Sequence, residues 1–139
     1  MTYALGESLQ MAVYGRLAGH PAVDALVHGA VYDAVPQVAP DLFVALGPED
    51  ARGRSDISGS GALHDLRISV VTRRESFLAA KAAAAAVSDA LLEGDLPMTR
   101  GRVVSLRFLK ARARRDEGEG TRRIDLWFRA RTDEQSTTE

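Results

Sequence analysis

The sequence predicts an α+β fold in which two helices cover one face of an antiparallel sheet. Two segments, 4–18 and 75–92, have apolar residues at helical spacing, and several segments after residue 30 alternate with the period of strands. The last third of the chain contains two long alternating segments around a polar turn, which predicts a long C-terminal hairpin. Runs of strands with helices on one side are typical of the α+β class.

The first half of the chain begins with the helix at 4–18, which Gly19-His20-Pro21 ends. One further helical turn is predicted at 24–27. Extended segments follow at 30–35 and 42–46, and the prolines between them cannot donate to a ladder, so their connection should lie at a sheet edge. Residues 47–61 contain almost no core-forming side chain and predict a long loop.

The second half predicts a strand at 63–72 and then the helix at 75–92, which buries a stripe formed by Phe77, Ala80, Ala84, Val87 and Leu91. In the hairpin, Val104, Leu106 and Phe108 alternate with polar residues. The alternation of apolar and polar residues changes phase after Phe108, which predicts a bulge there. A length of 139 residues fits one domain. We assign it to residues 1–131 and expect residues 132–139 to be a disordered polar tail.

Composition excludes several classes of protein. The chain has no cysteine, so it can form neither a disulfide nor a thiolate zinc site, and no apolar run reaches the length of about 18 residues that a membrane helix needs. Charge is segregated along the chain: residues 100–131 carry eleven basic and four acidic side chains, whereas residues 1–99 carry seven basic and twelve acidic ones. Such segregation fits either nucleic acid or complementary faces of neighbouring subunits.

No catalytic constellation is found in the sequence. The three histidines, His20, His28 and His64, lack the spacing of a helical metal site, so surface or capping roles are expected for them. No phosphate-binding or dinucleotide-binding motif is present. His64 and Asp65 are adjacent on a predicted strand, so their side chains point to opposite faces. The sequence therefore predicts a protein with no catalytic residues, no cofactor and no metal.

Two groups of residues are candidate contact sites. The predicted loop carries Arg52, Arg54 and Asp56 as its polar contacts, with a solvent loop of no function as the alternative. On the hairpin, the outer sheet face is expected to present Arg107, Arg123, Trp127 and Arg129. Arginine and tryptophan are enriched at interface hot spots, whereas a solvated face paired with acids is the alternative.

The order of these segments resembles the tail-terminator (tail-completion) family of long-tailed phages and gene transfer agents, from about Leu5 to Arg131. The resemblance rests on VYDAVP at 31–36 followed by LFVALG at 42–47, on LRISV at 66–70, and on RVVSLRF at 102–108 leading to the paired strand at 124–130. None of these motifs is diagnostic alone, since they are structural positions; their order and spacing together carry the resemblance.

The resemblance implies a structural virion protein that forms a hexameric ring. Such a ring caps the finished tail tube, stops its polymerisation and joins it to the head–tail connector (stopper) protein. It also implies a place in the tail or neck of the virion, assembly in the bacterial cytoplasm, no membrane partner, and DNA only as cargo passing through the ring. A neck or head–tail joining protein is the alternative within this class, and a sequence-independent DNA-binding module is the alternative outside it.

Overall fold

The computed structural model describes residues 3–54, 61–118 and 120–134. Its elements are, in chain order, α1 (Gly6–Ala18), α2 (Pro21–Val27), β1 (Val31–Tyr32), β2 (Leu42–Arg54), β3 (Gly61–Thr72), α3 (Leu78–Leu91), β4 (Arg102–Asp116) and β5 (Thr121–Asp133). The described strands form a five-stranded sheet in the order β1-β2-β3-β5-β4. All neighbouring strands are antiparallel except β1 and β2, which are parallel. The α+β fold class is therefore confirmed, with a mixed sheet.

The helices begin and end where local chemistry favours it. Gly19 follows α1, as expected, and the single turn predicted at 24–27 belongs to the seven-residue helix α2. The ring Nδ1 of His20 accepts a hydrogen bond from the Ala22 amide, and Pro21 occupies the first turn, where no amide donor is needed. The predicted capping role of His20 is confirmed, and α2 is a helix in addition to the two predicted.

Helix α3 packs on β3 and β5 through its alanines, which allow close approach because their side chains are single methyl groups. The predicted stripe is confirmed, since Ala80, Val87 and Leu91 are buried. Arg16 of α1 donates from its guanidinium to the carbonyls of Ala90, Glu93 and Asp95, at 2.9, 2.8 and 2.7 Å. The bond to Ala90 pairs a carbonyl group that the last turn of α3 leaves without an intrahelical partner, and the other two tie α1 to the segment that follows α3.

The predicted loop at 47–61 is wrong for its first half. Strand β2 continues to Arg54 and pairs with β3 from Glu49 opposite Leu66 to Arg54 opposite Gly61. A register shift between Leu46 and Glu49 accommodates Gly47 and Pro48, and a Cβ at Gly47 would lie 2.9 Å from the Arg67 carbonyl oxygen. Backbone pairing with β3 holds the segment from Glu49 to Arg54 in the sheet. Because this segment has few large apolar residues, its sequence did not indicate a strand. The first predicted strand is also shorter than 30–35, because only Val31 and Tyr32 pair with β2.

The C-terminal hairpin agrees with the prediction. Strands β4 and β5 pair along their whole length, and register shifts leave Val104 and Leu109 as extra residues on β4. The bulge expected after Phe108 is thus confirmed, at Leu109. Strand β5 continues to Asp133, past the predicted domain end at residue 131, whereas residues 135–139 of the predicted tail lie outside the described residues.

The core lies between the sheet and the helices. On β5 the alternating residues Ile124, Leu126, Phe128 and Ala130 are buried, as expected, and Phe128 is fully enclosed. Strand β4 differs, because most of its residues are exposed on both faces. Within the described residues, none of the helices is both long and apolar enough to cross a membrane.

Candidate interaction surface on the outer sheet face

The outer sheet face, which is the side of the sheet opposite the helices, carries rows of charged side chains. Residues directly opposite one another on paired strands share a face. Asp65, Arg129 and Arg107 form one such row across β3, β5 and β4. The next two rows along the strands are Arg67, Trp127 and Lys110, then Ser69, Asp125 and Arg112. The structure therefore brings the predicted residues Arg107, Trp127 and Arg129 together, in adjacent rows.

Arg129 is held by an ion pair within its own sheet. Its Nε and Nη2 donate to the two carboxylate oxygens of Asp65, at 2.7 and 3.1 Å, and Arg52 Nη1 lies 3.5 Å from the same carboxylate. The hydrogen bonds from Arg129 hold the pKa of Asp65 below its usual range. Arg107 lies opposite Arg129, is exposed, and forms no ion pair with any residue that the structure describes. Of these arginines, Arg107 is the one available to a partner.

A second group of charged side chains lies at the turn end of the β4–β5 hairpin. Asp116 accepts hydrogen bonds from Arg114, Thr121 and Arg123, at 2.7, 2.8 and 3.2 Å. Burial raises the pKa of Asp116, but these hydrogen bonds and the two guanidinium charges outweigh burial and lower it. The predicted interface residue Arg123 is thus engaged within its own chain.

Trp127 was predicted to lie exposed on the outer face; it lies on that face but is only partly exposed. The indole is half-buried because the Lys110 ammonium lies 4.6 Å from its ring centroid and Arg67 lies beside it on β3. An open groove of about 420 Å³ adjoins the ring and is also lined by Pro48 and Leu109. Two cations beside an aromatic ring favour an acidic or aromatic group in a contacting partner.

The remaining predicted contact residues lie on the β2–β3 hairpin. Arg52 belongs to β2, where it pairs opposite Leu63, and its side chain is half exposed. Arg54 is the last residue of β2, and its side chain lies outside the described part of the structure. Asp56 also lies outside the described residues. These two residues remain predictions.

A polar cluster formed by buried His64 and Thr132, partly buried Glu49 and exposed Tyr3 was not predicted from the sequence. His64 is only 1% exposed, so the surface role expected for it is wrong. Its Nδ1 shares a hydrogen bond with the Glu49 carboxylate, and its Nε2 lies 3.1 Å from the Thr132 hydroxyl. The Tyr3 hydroxyl donates to the other Glu49 oxygen. Burial raises the pKa of Glu49, but the hydrogen bonds from His64 and Tyr3 outweigh burial and lower it. Because both ring nitrogens are engaged, this cluster holds strands together and offers no free base.

Metal chemistry has no candidate site in the part of the chain that is described. Residues 3–54, 61–118 and 120–134 contain no group of three or more histidine or acidic side chains arranged to hold a metal ion. The fold and the surface together define a small α+β protein whose outer sheet face carries rows of charged side chains.

Comparison with known proteins identifies the family. The chain belongs to the family described as tail completion protein gp17, whose model matches residues 11–133. It is also similar to a chain of a solved structure titled "Virion of native gene transfer agent (GTA) particle", with 53% sequence identity and a TM-score of 0.88, over 95% of this chain and 99% of that chain. Among curated proteins, none matches the chain. The resemblance found in the sequence is thus confirmed.

Proposed function

We propose that this protein is a tail terminator: a subunit of a hexameric ring that caps the tail tube, stops its polymerisation and joins it to the head–tail connector protein. Membership of the tail-completion family over residues 11–133 carries the proposal. The similarity to a chain of a gene transfer agent virion supports a place in such a particle. Within it we assign the protein to the tail or neck, with assembly in the bacterial cytoplasm. The protein acts as a structural component without enzymatic activity, and DNA passes through the ring only as cargo.

The outer sheet face supports this function because it presents uncompensated charge beside an aromatic side chain. Arg107 and Arg112 are exposed and form no ion pair within the described residues, whereas Arg123 and Arg129 are neutralised by aspartates of their own sheet. Protein interfaces use such arginines together with tryptophan. A sequence-independent DNA module would instead need free arginines across the hairpin, and the internal ion pairs reduce their number.

The defining experiment is removal of the gene followed by electron microscopy of the particles. Loss of a terminator should leave overlong tail tubes without heads, because nothing stops tube polymerisation. Tails of normal length that lack heads would contradict the proposal and identify a neck or head–tail joining protein. Adding the purified protein to a polymerising tube protein provides the direct test, since a terminator shortens the tubes in proportion to its concentration.

The contact role of the outer face is tested with alanine substitutions in the same capping assay. Trp127→Ala and Arg107→Ala should weaken capping. Lys81→Ala should not, because the Lys81 side chain is exposed on α3 and forms no hydrogen bond or ion pair with any described residue. Arg129→Ala is a poor probe because it also leaves Asp65 without its main partner. Unchanged capping by both Trp127→Ala and Arg107→Ala would remove the outer face from the proposal.

A further inference from the structure

Strand β4 forms one edge of the sheet and exposes both apolar and basic side chains. The two extra residues at its bulges, Val104 and Leu109, are exposed, and so is Phe108 at 44%. Arg107 and Arg112 lie among them, and neither has an ionic partner in the described part of the chain. Exposed apolar side chains clustered with arginine mark a contact surface rather than an ordinary solvated strand.

Helix α1 and the residue that follows β1 form an acidic and aromatic groove of about 460 Å³. Its lining residues are Tyr3, Gly6, Glu7, Gln10, Met11, Tyr14 and Asp33. Tyr3 and Met11 are 63% and 55% exposed, which is high for apolar side chains that lie together. The groove reaches the β1–β2 side of the sheet, because Asp33 directly follows β1 and the Tyr3 hydroxyl bonds to Glu49 of β2. None of the described residues that line it is basic.

We propose that the β4 edge of one copy docks into this acidic groove of a second copy. The two surfaces are complementary in charge and in apolar character: Arg107 and Arg112 on the outer face of β4 face Glu7 and Asp33, and Leu109 between them faces the tyrosines and Met11. Arginine also stacks well on tyrosine rings. Because the groove is lined by α1, Tyr3 and Asp33 and shares no residue with β4, one copy can use both surfaces at once.

Such a contact joins unlike surfaces, so it propagates from copy to copy and closes into a ring when the rotation between copies permits. It rests on the proposed function, for which it supplies the surfaces between subunits. The contact is made through side chains rather than by extending the sheet. Bulges at Val104 and Leu109 interrupt the free edge of β4, and bulges and charged side chains are the features that prevent edge strands from pairing.

The test uses two charge-reversal variants, Arg107→Glu with Arg112→Glu, and Glu7→Arg with Asp33→Arg. Each variant alone places like charges in every contact, so native mass spectrometry should show monomers where the wild type shows rings. An equimolar mixture should restore rings with an even number of copies, because each contact then joins opposite charges. The matched control, Lys81→Glu with Asp89→Arg on the exposed face of α3, should assemble as the wild type does.

Two outcomes would overturn the inference. Rings formed by either variant alone would show that its surface is not the contact, and monomers in the mixture, with both variants folded by circular dichroism, would show that the two surfaces do not meet. A wild-type protein that neither forms rings nor caps tubes would instead contradict the proposed function. Charge-reversal variants that fail to fold are replaced by a cysteine pair, Asp33→Cys with Arg112→Cys, in this cysteine-free chain.

Oxidation of that cysteine pair should yield a covalent ladder of oligomers. The two positions lie at opposite edges of the sheet, about 19 Å apart at the usual strand spacing, so they cannot form a disulfide within one copy. Only monomers after oxidation, under conditions where the wild type assembles, would overturn the inference.

Discussion

Replacing His64 by leucine tests whether the polar cluster around His64 stabilises the fold through its hydrogen bonds. His64 is enclosed, and both ring nitrogens are engaged, with Glu49 and Thr132. Leucine has a similar size but leaves the buried Thr132 hydroxyl without its partner and removes one bond to Glu49. An unsatisfied buried group costs about 1–3 kcal/mol. We expect a loss near the middle of this range, because Glu49 keeps its bond to Tyr3 and is partly accessible to water.

The same reasoning predicts that apolar replacement of all three partners is far less costly. When every member of a buried polar pair is replaced by an apolar group of similar shape, the change in stability is close to neutral. The triple variant His64→Leu, Glu49→Met and Thr132→Val should therefore be more stable than His64→Leu alone. It should lie within about 1 kcal/mol of the wild type.

Urea unfolding at pH 7 measures these differences, and an unchanged slope with denaturant shows that the compactness of the two states is unaffected. For a chain of this length, a loss of about 2 kcal/mol corresponds to a decrease in Tm of roughly 6–10 °C. A triple variant as unstable as His64→Leu would refute the reasoning. The cost would then come from packing around residue 64 and not from the unpaired polar groups.

Two further predictions concern acid stability and backbone geometry. Because the pKa of Glu49 is lowered in the folded protein, its ionised form stabilises the fold at neutral pH, and this contribution is lost as the pH falls below the unfolded value of about 4.3. Glu49→Gln should thus flatten the loss of stability between pH 5 and 3 in urea titrations, and an identical slope would contradict the assignment. Gly94 and Gly101 both have left-handed φ angles, of 70° and 67°. Of the two, only Gly101 would bring a Cβ against a backbone atom, since the Asp133 carbonyl oxygen would lie 2.7 Å from it. Gly94→Ala should cost about 1–2 kcal/mol and Gly101→Ala clearly more, and equal melting temperatures would argue against the clash.

The elements with strong periodicity were predictable from the sequence alone. The stripe on α3 and the alternation on β5 each identify a buried face, because a helix or strand that packs on a core repeats apolar residues at its own period. The bulge at Leu109 was also predictable, since the apolar phase of β4 changes there. His64 lies in phase with Leu66 and Ile68, so the same alternation contained the signal for its burial. Its polar character concealed that signal.

The arm of β2 from Glu49 to Arg54 could not be predicted, because its residues have neither apolar alternation nor high strand propensity. It is a strand because β3 offers a ladder of backbone partners, and these are visible only once the two segments lie side by side. The same reason applies to Tyr3 and Glu49, which are far apart in sequence and joined by a hydrogen bond.

The outer sheet face shows most clearly which features the sequence determines and which the tertiary structure decides. Sequence alone placed Arg107, Trp127 and Arg129 on one face of the hairpin, since side chains on a strand alternate with a period of two. Tertiary structure decided which of them is available: Asp65 of β3 neutralises Arg129, Lys110 covers Trp127, and Arg107 alone is left exposed. Strand period is a local property of the chain. The identity of the neighbouring strand, and hence the ionic partner, depends on how distant segments pack.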